Sequence, residues 1–203
     1  MRAKMDLPER CSVLRKHFLE MRCNAMISAM KNKNIFIIGP LGAGKTTVGR
    51  ELAKRAHLVF YDSDKEIEKQ TGVSVTTIFE FEGEAGFRKR EQEMIAKLTQ
   101  LDNIVLSSGG GSILRPENRL ALSTRGTVVY LRASLETQLE RTNQRKGVRP
   151  LLNIPDPFKK IIELDQIRSP LYQEIANFTY DTDVDSPKDI ADFIFEKLFM
   201  GNR

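Results

Sequence analysis

No stretch of this chain approaches the ~20 consecutive apolar residues that a membrane-spanning helix needs. Nor does it open on an apolar secretory core, because Arg10, Arg15, Lys16, Glu20 and Arg22 interrupt the leading segment. Cysteine is scarce: Cys11 and Cys23 are the only two. Both lie ahead of the first apolar run, at a spacing that matches no metal motif, so they cannot staple a core. A reducing cytoplasm is the expected setting. Histidine is equally scarce. His17 and His57 have no chemical neighbour in sequence, and no Ser/His/Asp or Cys/His nucleophile set is visible. Internal repeats and low-complexity tracts are absent too, which excludes solenoids and disordered arrays.

What is present fits one domain. The 203 residues are 40% hydrophobic and 29% charged, enough for a single sizeable core. The net charge of +5 invites a nucleic-acid reading until it is located. Residues 1–33 carry eight basic and three acidic side chains, and residues 34–203 balance at 24 of each. A nucleic-acid reader carries its excess on the folded domain, so a small-molecule substrate is expected instead. Residues 1–31 are expected to form a disordered N-terminal extension. Leu14, Phe18 and Met21 make a weak apolar stripe there, but an isolated short helix is marginal in water.

From Asn34 onward short apolar runs alternate with helical patterns, as in repeated βαβ units around a parallel sheet. Strands are expected at Ile35–Ile38, Leu58–Tyr61, Ile104–Ser107, Thr127–Leu131 and Asn177–Tyr180. Phe87, Glu91, Met94, Ile95 and Leu98 fall at helical spacing with four apolar members. Ser134 is placed to cap a helix bearing Leu135 and Leu139. Ser186-Pro187-Lys188-Asp189 supplies a cap, a first-turn proline and a third-position acid. The expected architecture is a three-layer α/β/α P-loop kinase fold with a five-stranded parallel sheet. Residues 142–157, rich in charge and proline from Gln144 to Pro157, are expected to be a mobile lid.

Gly39-Pro40-Leu41-Gly42-Ala43-Gly44-Lys45-Thr46 satisfies G-x-x-x-x-G-K-[ST] at every fixed position, directly after a strand and opening a helix with Val48, Leu52 and Ala56. Backbone N–H groups from Gly42 to Thr47 can converge on phosphate oxygens, helped by the helix N-terminus. Lys45 can reach the outer phosphates and Thr46 can ligate Mg²⁺. A P-loop leaves the phosphate acceptor open. After it come Phe60-Tyr61-Asp62-Ser63-Asp64, Gly86-Phe87-Arg88, Ser107-Ser108-Gly109-Gly110-Gly111, Arg149-Pro150-Leu151-Leu152 and Arg168-Ser169-Pro170-Leu171-Tyr172. If the second strand runs through them, Asp62 and Asp64 share one face.

That set, in that order from about Asn32 to Leu198, resembles the shikimate kinases. The resemblance implies transfer of the γ-phosphate of ATP to the 3-hydroxyl of shikimate, with one Mg²⁺ per ATP. It implies that Asp62 holds the metal through water, and that Asp64 receives the substrate hydroxyls as candidate base. Arg88 and Arg168 would clamp the carboxylate, and Gly109, Gly110 and Gly111 would bring backbone N–H groups to the ring. Arg149 would close over the transferring phosphate from the lid, while Arg141 and Asp185 border the adenine. Lys45, Asp64 and Arg149 thus form the implied catalytic set, in an acceptor region of about residues 62–90. Plainer readings exist for several positions. One aspartate can simply cap a helix expected at Lys65–Gln70, and Arg88 beside Lys89 and Arg90 reads by itself as a solvated face. Arg145 can replace Arg141 or Arg149, although with Lys146 it reads more simply as loop charge. The strand Ile104–Leu106 ends in serines where a Walker-B acid is expected, which favours Asp62 as the metal's partner. Rival functions are a kinase for another sugar acid or a nucleoside monophosphate, and a non-enzymatic nucleotide-dependent adaptor. A cytoplasmic monomer without membrane or nucleic-acid partners is expected.

Overall fold

The computed structural model describes residues 33–143 and 156–201. The expected N-terminal extension, and Arg145, Lys146 and Arg149 of the expected lid, lie outside the described residues.

Ile35-Phe36-Ile37-Ile38 (β1) is apolar at every position and buried at every position. That is the signature of a strand covered on both faces, as the middle of a parallel sheet must be. β1 pairs in parallel with Ile104–Ser107 (β3) on one side and Thr127–Arg132 (β4) on the other. Val59–Asp62 (β2) and Phe178–Asp181 (β5) complete the edges, giving the order β2-β3-β1-β4-β5. The chain therefore leaves β1 for one half of the sheet and returns for the other. The crevice outside the carboxyl ends at such a reversal is where doubly wound sheets bind ligands. Asn34 ties the opposite end together: its Nδ2 donates to the Leu101 carbonyl at 2.6 Å, and its own carbonyl accepts from Thr127 N at 2.8 Å.

The helices follow local signals. Lys45–Ala56 (α1) starts at Gly44 and ends at His57, whose left-handed φ of 55° closes the last turn. His57 thus has a structural role. Ser134 Oγ accepts from Thr137 N to cap Leu135–Asn143 (helix α5 in chain order), and Ser186 caps Pro187–Phe195 (α7) through Asp189 N. The remaining helices are Ser63–Thr71 (α2), Val75–Leu98 (α3), Pro116–Arg125 (α4) and Pro157–Ile175 (α6). Phe87, Glu91, Met94, Ile95 and Leu98 are all buried on the inward side of α3. Each fully buried large apolar side chain contributes ~1.5–3 kcal/mol, and Phe36, Ile95, Leu106, Ile113 and Tyr130 form one cluster.

Several boundaries differ from expectation: β4 runs one residue past Leu131, and β5 lies one residue later than Asn177–Tyr180. β2 runs one residue later than Leu58–Tyr61, and α2 begins at Ser63, so Asp64 belongs to a helix and strand alternation does not relate it to Asp62. Asp62 causes this. Its Oδ1 accepts from Asp64 N (3.2 Å) and Lys65 N (3.3 Å), capping α2 immediately after the strand. Of residues 142–157, Thr142 and Asn143 end α5, while Asp156 caps α6 and Pro157 is its first residue; the remainder lie outside the described residues.

Candidate active site

Gly39, Gly42 and Gly44 have φ values of 145°, 82° and 81°, all in the region that glycine alone tolerates freely. At Gly39 a Cβ would also collide with the Leu131 carbonyl. The loop they shape turns its backbone around the start of α1. Lys45 Nζ donates to the Pro40 carbonyl at 2.7 Å, folding back across the loop. Thr46 Oγ1 donates to Asp62 Oδ2 at 2.7 Å. One carboxylate therefore caps α2 with one oxygen and receives the P-loop hydroxyl with the other.

The triplet loop after β3 is anchored from two sides. Gly109 N donates to Ser63 Oγ at 2.9 Å, and Tyr172 Oη donates to the Gly110 carbonyl. The loop's glycines leave room for side chains from elsewhere. A Cβ on Gly109 would lie 2.5 Å from Glu91 Oε1 and 2.8 Å from Asp64 Oδ1, and one on Gly111 would overlap the Arg88 guanidinium.

Arg88 is buried, contrary to the solvated-face reading. Its Nη1 donates to Glu91 Oε2 at 2.8 Å, and its Nη2 and Nε donate to Glu84 Oε1 at 2.9 and 3.2 Å. Arg168 is buried too, and its Nε has no hydrogen-bond partner among the described residues. Burial lowers its pKa, and the nearby charge of Arg88 adds to that effect. Asp64 Oδ1 and Glu91 Oε1 are likewise buried without partners. Burial above all, then the charges of Glu91 and Asp62, push the Asp64 carboxyl up to about 7, against the pull of Lys45 and Arg88. Burial also raises Glu91, although Arg88 opposes it.

These groups share one cleft of about 520 Å³. At one end lie the P-loop, Arg141, Thr182, Asp185 and Pro187; at the other, Asp64, Arg88, Glu91, the glycine triplet and Arg168. Val75, Phe79 and Phe87 supply an apolar wall. Arg141 Nη1 donates to the Gly42 carbonyl at 3.1 Å and its Nη2 to the Thr182 carbonyl at 2.7 Å, so it sits beside the phosphate loop. Asp185 accepts from Tyr180 Oη at 2.6 Å. Every described residue given a site role from the sequence thus lines the cleft. The sequence reading missed three of its supports. Glu91 was visible as the one polar member of a buried stripe, three residues after Arg88; Glu84 and Tyr172 sit one helical turn from Arg88 and Arg168.

A phosphate loop at the switch point of a parallel sheet, opening on a cleft lined by Arg88 and Arg168, defines a P-loop small-molecule kinase. A family model described as shikimate kinase matches residues 41–199. Two curated shikimate kinases are close relatives. That of Thioalkalivibrio sulfidiphilus is 51% identical over 173 residues, covering 85% of this chain and 90% of its own; that of Methylococcus capsulatus is 55% identical over 154 residues, covering 75% and 86%. The solved shikimate kinase from Acinetobacter baumannii in complex with shikimate superposes with a TM-score of 0.83 at 44% identity, over 87% of this chain and 98% of that one. The chain belongs to the shikimate kinase family.

Proposed function

We propose that this cleft aligns the γ-phosphate of ATP with the 3-hydroxyl of shikimate, and that the residues around it divide the work as follows. The enzyme phosphorylates shikimate with ATP as co-substrate. The hydroxyl oxygen bonds to the γ-phosphorus, the bond from that phosphorus to the bridging oxygen breaks, and ADP leaves with the bridging oxygen. Gly42, Ala43, Gly44, Lys45, Thr46 and Thr47 cradle the phosphates, with Arg141 and Asp185 beside the adenine. Arg88 and Arg168 hold the shikimate carboxylate, and the backbone of Gly109, Gly110 and Gly111 meets the ring. Asp64 orients the hydroxyl and receives its proton. A carboxyl raised to about 7 is suited to that exchange near neutral pH. The transition state of such transfers is loose, so alignment and charge stabilisation by Lys45 and Arg149 outweigh proton removal.

Mg²⁺ fits the oxygens present. Thr46 and Asp62 bring a hydroxyl and a carboxylate together at the phosphate loop, and Mg²⁺ takes few protein oxygens beside substrate phosphates. Thr46 would ligate it directly and Asp62 through water; the ion supplies neutralisation of phosphate charge. No described helix is long and apolar enough to cross a membrane. The charge balance of residues 34–203 supports a small-molecule rather than a nucleic-acid partner, and we infer a cytoplasmic monomer.

The observation that carries this reading is the partnerless, buried Arg168 Nε and Asp64 Oδ1 in the same cleft as the phosphate loop. A coupled ADP-release assay with shikimate, gluconate and nucleoside monophosphates tests it. Shikimate alone is expected to turn over; turnover of a nucleoside monophosphate without shikimate activity would overturn it.

A further inference from the structure

Helix α3 is two helices joined at Gly83, where φ is 69° and ψ is −177°. Only glycine populates that region. Nothing lies within 4 Å of where a Gly83 Cβ would be, so the space beside the bend is open. Yet both halves line the cleft: Val75 and Phe79 from the first, Phe87, Arg88 and Glu91 from the second. The Phe79 and Phe87 rings meet with centroids 4.8 Å apart.

The bend is bridged on its outer side. Arg90 Nε donates to Glu82 Oε2 at 2.8 Å and Arg90 Nη2 to Glu82 Oε1 at 2.7 Å, a two-point fork between residues eight apart. On a straight helix such residues lie ~12 Å apart along the axis; here the pair spans the break at Gly83 and joins the two halves. At its other end the first half is fixed by Val75 N donating to Glu68 Oε1 at 3.0 Å, and Ile78 inserts into the core. Neither Arg90 nor Glu82 lines the cleft.

We propose that Arg90 is a positioning residue for the acceptor: by holding Glu82 across Gly83 it fixes the angle at which Val75 and Phe79 face Phe87 and Arg88 around shikimate. Planar two-point geometry is where an exposed ion pair retains an effect, since one orientation satisfies both bonds. The inference rests on the acceptor half of the cleft being the seat of shikimate.

The test is steady-state kinetics on R90M, E82Q and the double variant, with R168M alongside. Each single variant is expected to raise KM for shikimate about two- to fivefold. KM for ATP and kcat should stay at wild-type values. The double variant should match the singles, because one pair is lost in each case. Wild-type KM for shikimate in R90M, additive effects in the double variant, or equal losses toward ATP would each overturn the proposal. If R168M weakens shikimate binding while R90M does not, the bridge proposal alone fails. If R168M also binds shikimate normally, the acceptor site itself is misplaced.

Discussion

Arg88 carries five N–H groups, and three already point at Glu84 and Glu91. That leaves one on each terminal nitrogen for a ligand. Arg168 makes no ion pair among the described residues. The two arginines should therefore answer differently to removal. Arg168→Met should weaken shikimate binding about 30- to 4,000-fold, as expected when one partner of a buried charge pair is lost, with ATP binding intact. Arg88→Met should do the same and also cost about 3–5 kcal/mol of stability, because Glu91 would remain buried and unpaired. Calorimetry with shikimate, beside thermal melting, separates the two effects. Asp64 gives a prediction in pH. A carboxyl whose folded pKa is raised to about 7 binds its proton more tightly folded than unfolded, so its contribution to stability falls as the pH rises toward 7. Asp64→Asn should accordingly raise the Tm of the ligand-free protein at pH 8 by roughly 3–10 °C while lowering turnover. The Tm advantage should shrink as the pH falls below about 7. A variant no more stable than wild type at pH 8 would show that the buried charge is not a burden on the fold. Lys45→Ala should lower turnover more than tenfold, a barrier rise above ~1.4 kcal/mol, at saturating ATP and shikimate.

At the scale of elements, the short capped helices were legible because their signals are local. Ser134 and Ser186 sit beside the N–H groups they satisfy, and no distant contact is needed to read them. Helix α3 was legible only from Phe87 onward. Gly83 breaks the 3.6-residue phase, so the stripe of Val75, Ile78 and Phe79 does not continue into that of Phe87, Glu91 and Ile95. The break has an energetic consequence of its own. Gly83→Ala should cost about 1–3 kcal/mol, because alanine must leave φ 69°, ψ −177° or endure it. In a domain of this size that is a Tm loss of about 2–12 °C. Differential scanning calorimetry would read it, and an unchanged Tm would mean the bend relaxes freely.

For the whole molecule, the family match begins at residue 41 and every described cleft residue lies after Pro40. The excess positive charge lies before Asn34. Deleting residues 1–30 should leave Tm and kcat nearly unchanged. A drop of many degrees would show that this segment packs on the domain.

The amino-acid sequence by itself determined the phosphate loop, the order of chemistry along the chain and the candidate site residues, though not cleft residues such as Glu91. Those are properties of contiguous segments, where glycine spacing, hydrophobic runs and caps act over a few residues. Only the tertiary structure decided which oxygens and nitrogens remain unspent. Arg88 and Arg90 are two residues apart, yet one is buried against Glu84 and Glu91 and the other bridges a bend to Glu82. Asp62 and Asp64 share a run of five residues, yet one caps α2 and meets Thr46 while the other has a buried carboxyl oxygen and a raised pKa. Burial and partner choice are set by segments far apart in sequence, the glycine triplet after β3 and Tyr172 of α6 among them, and no local pattern encodes those distances.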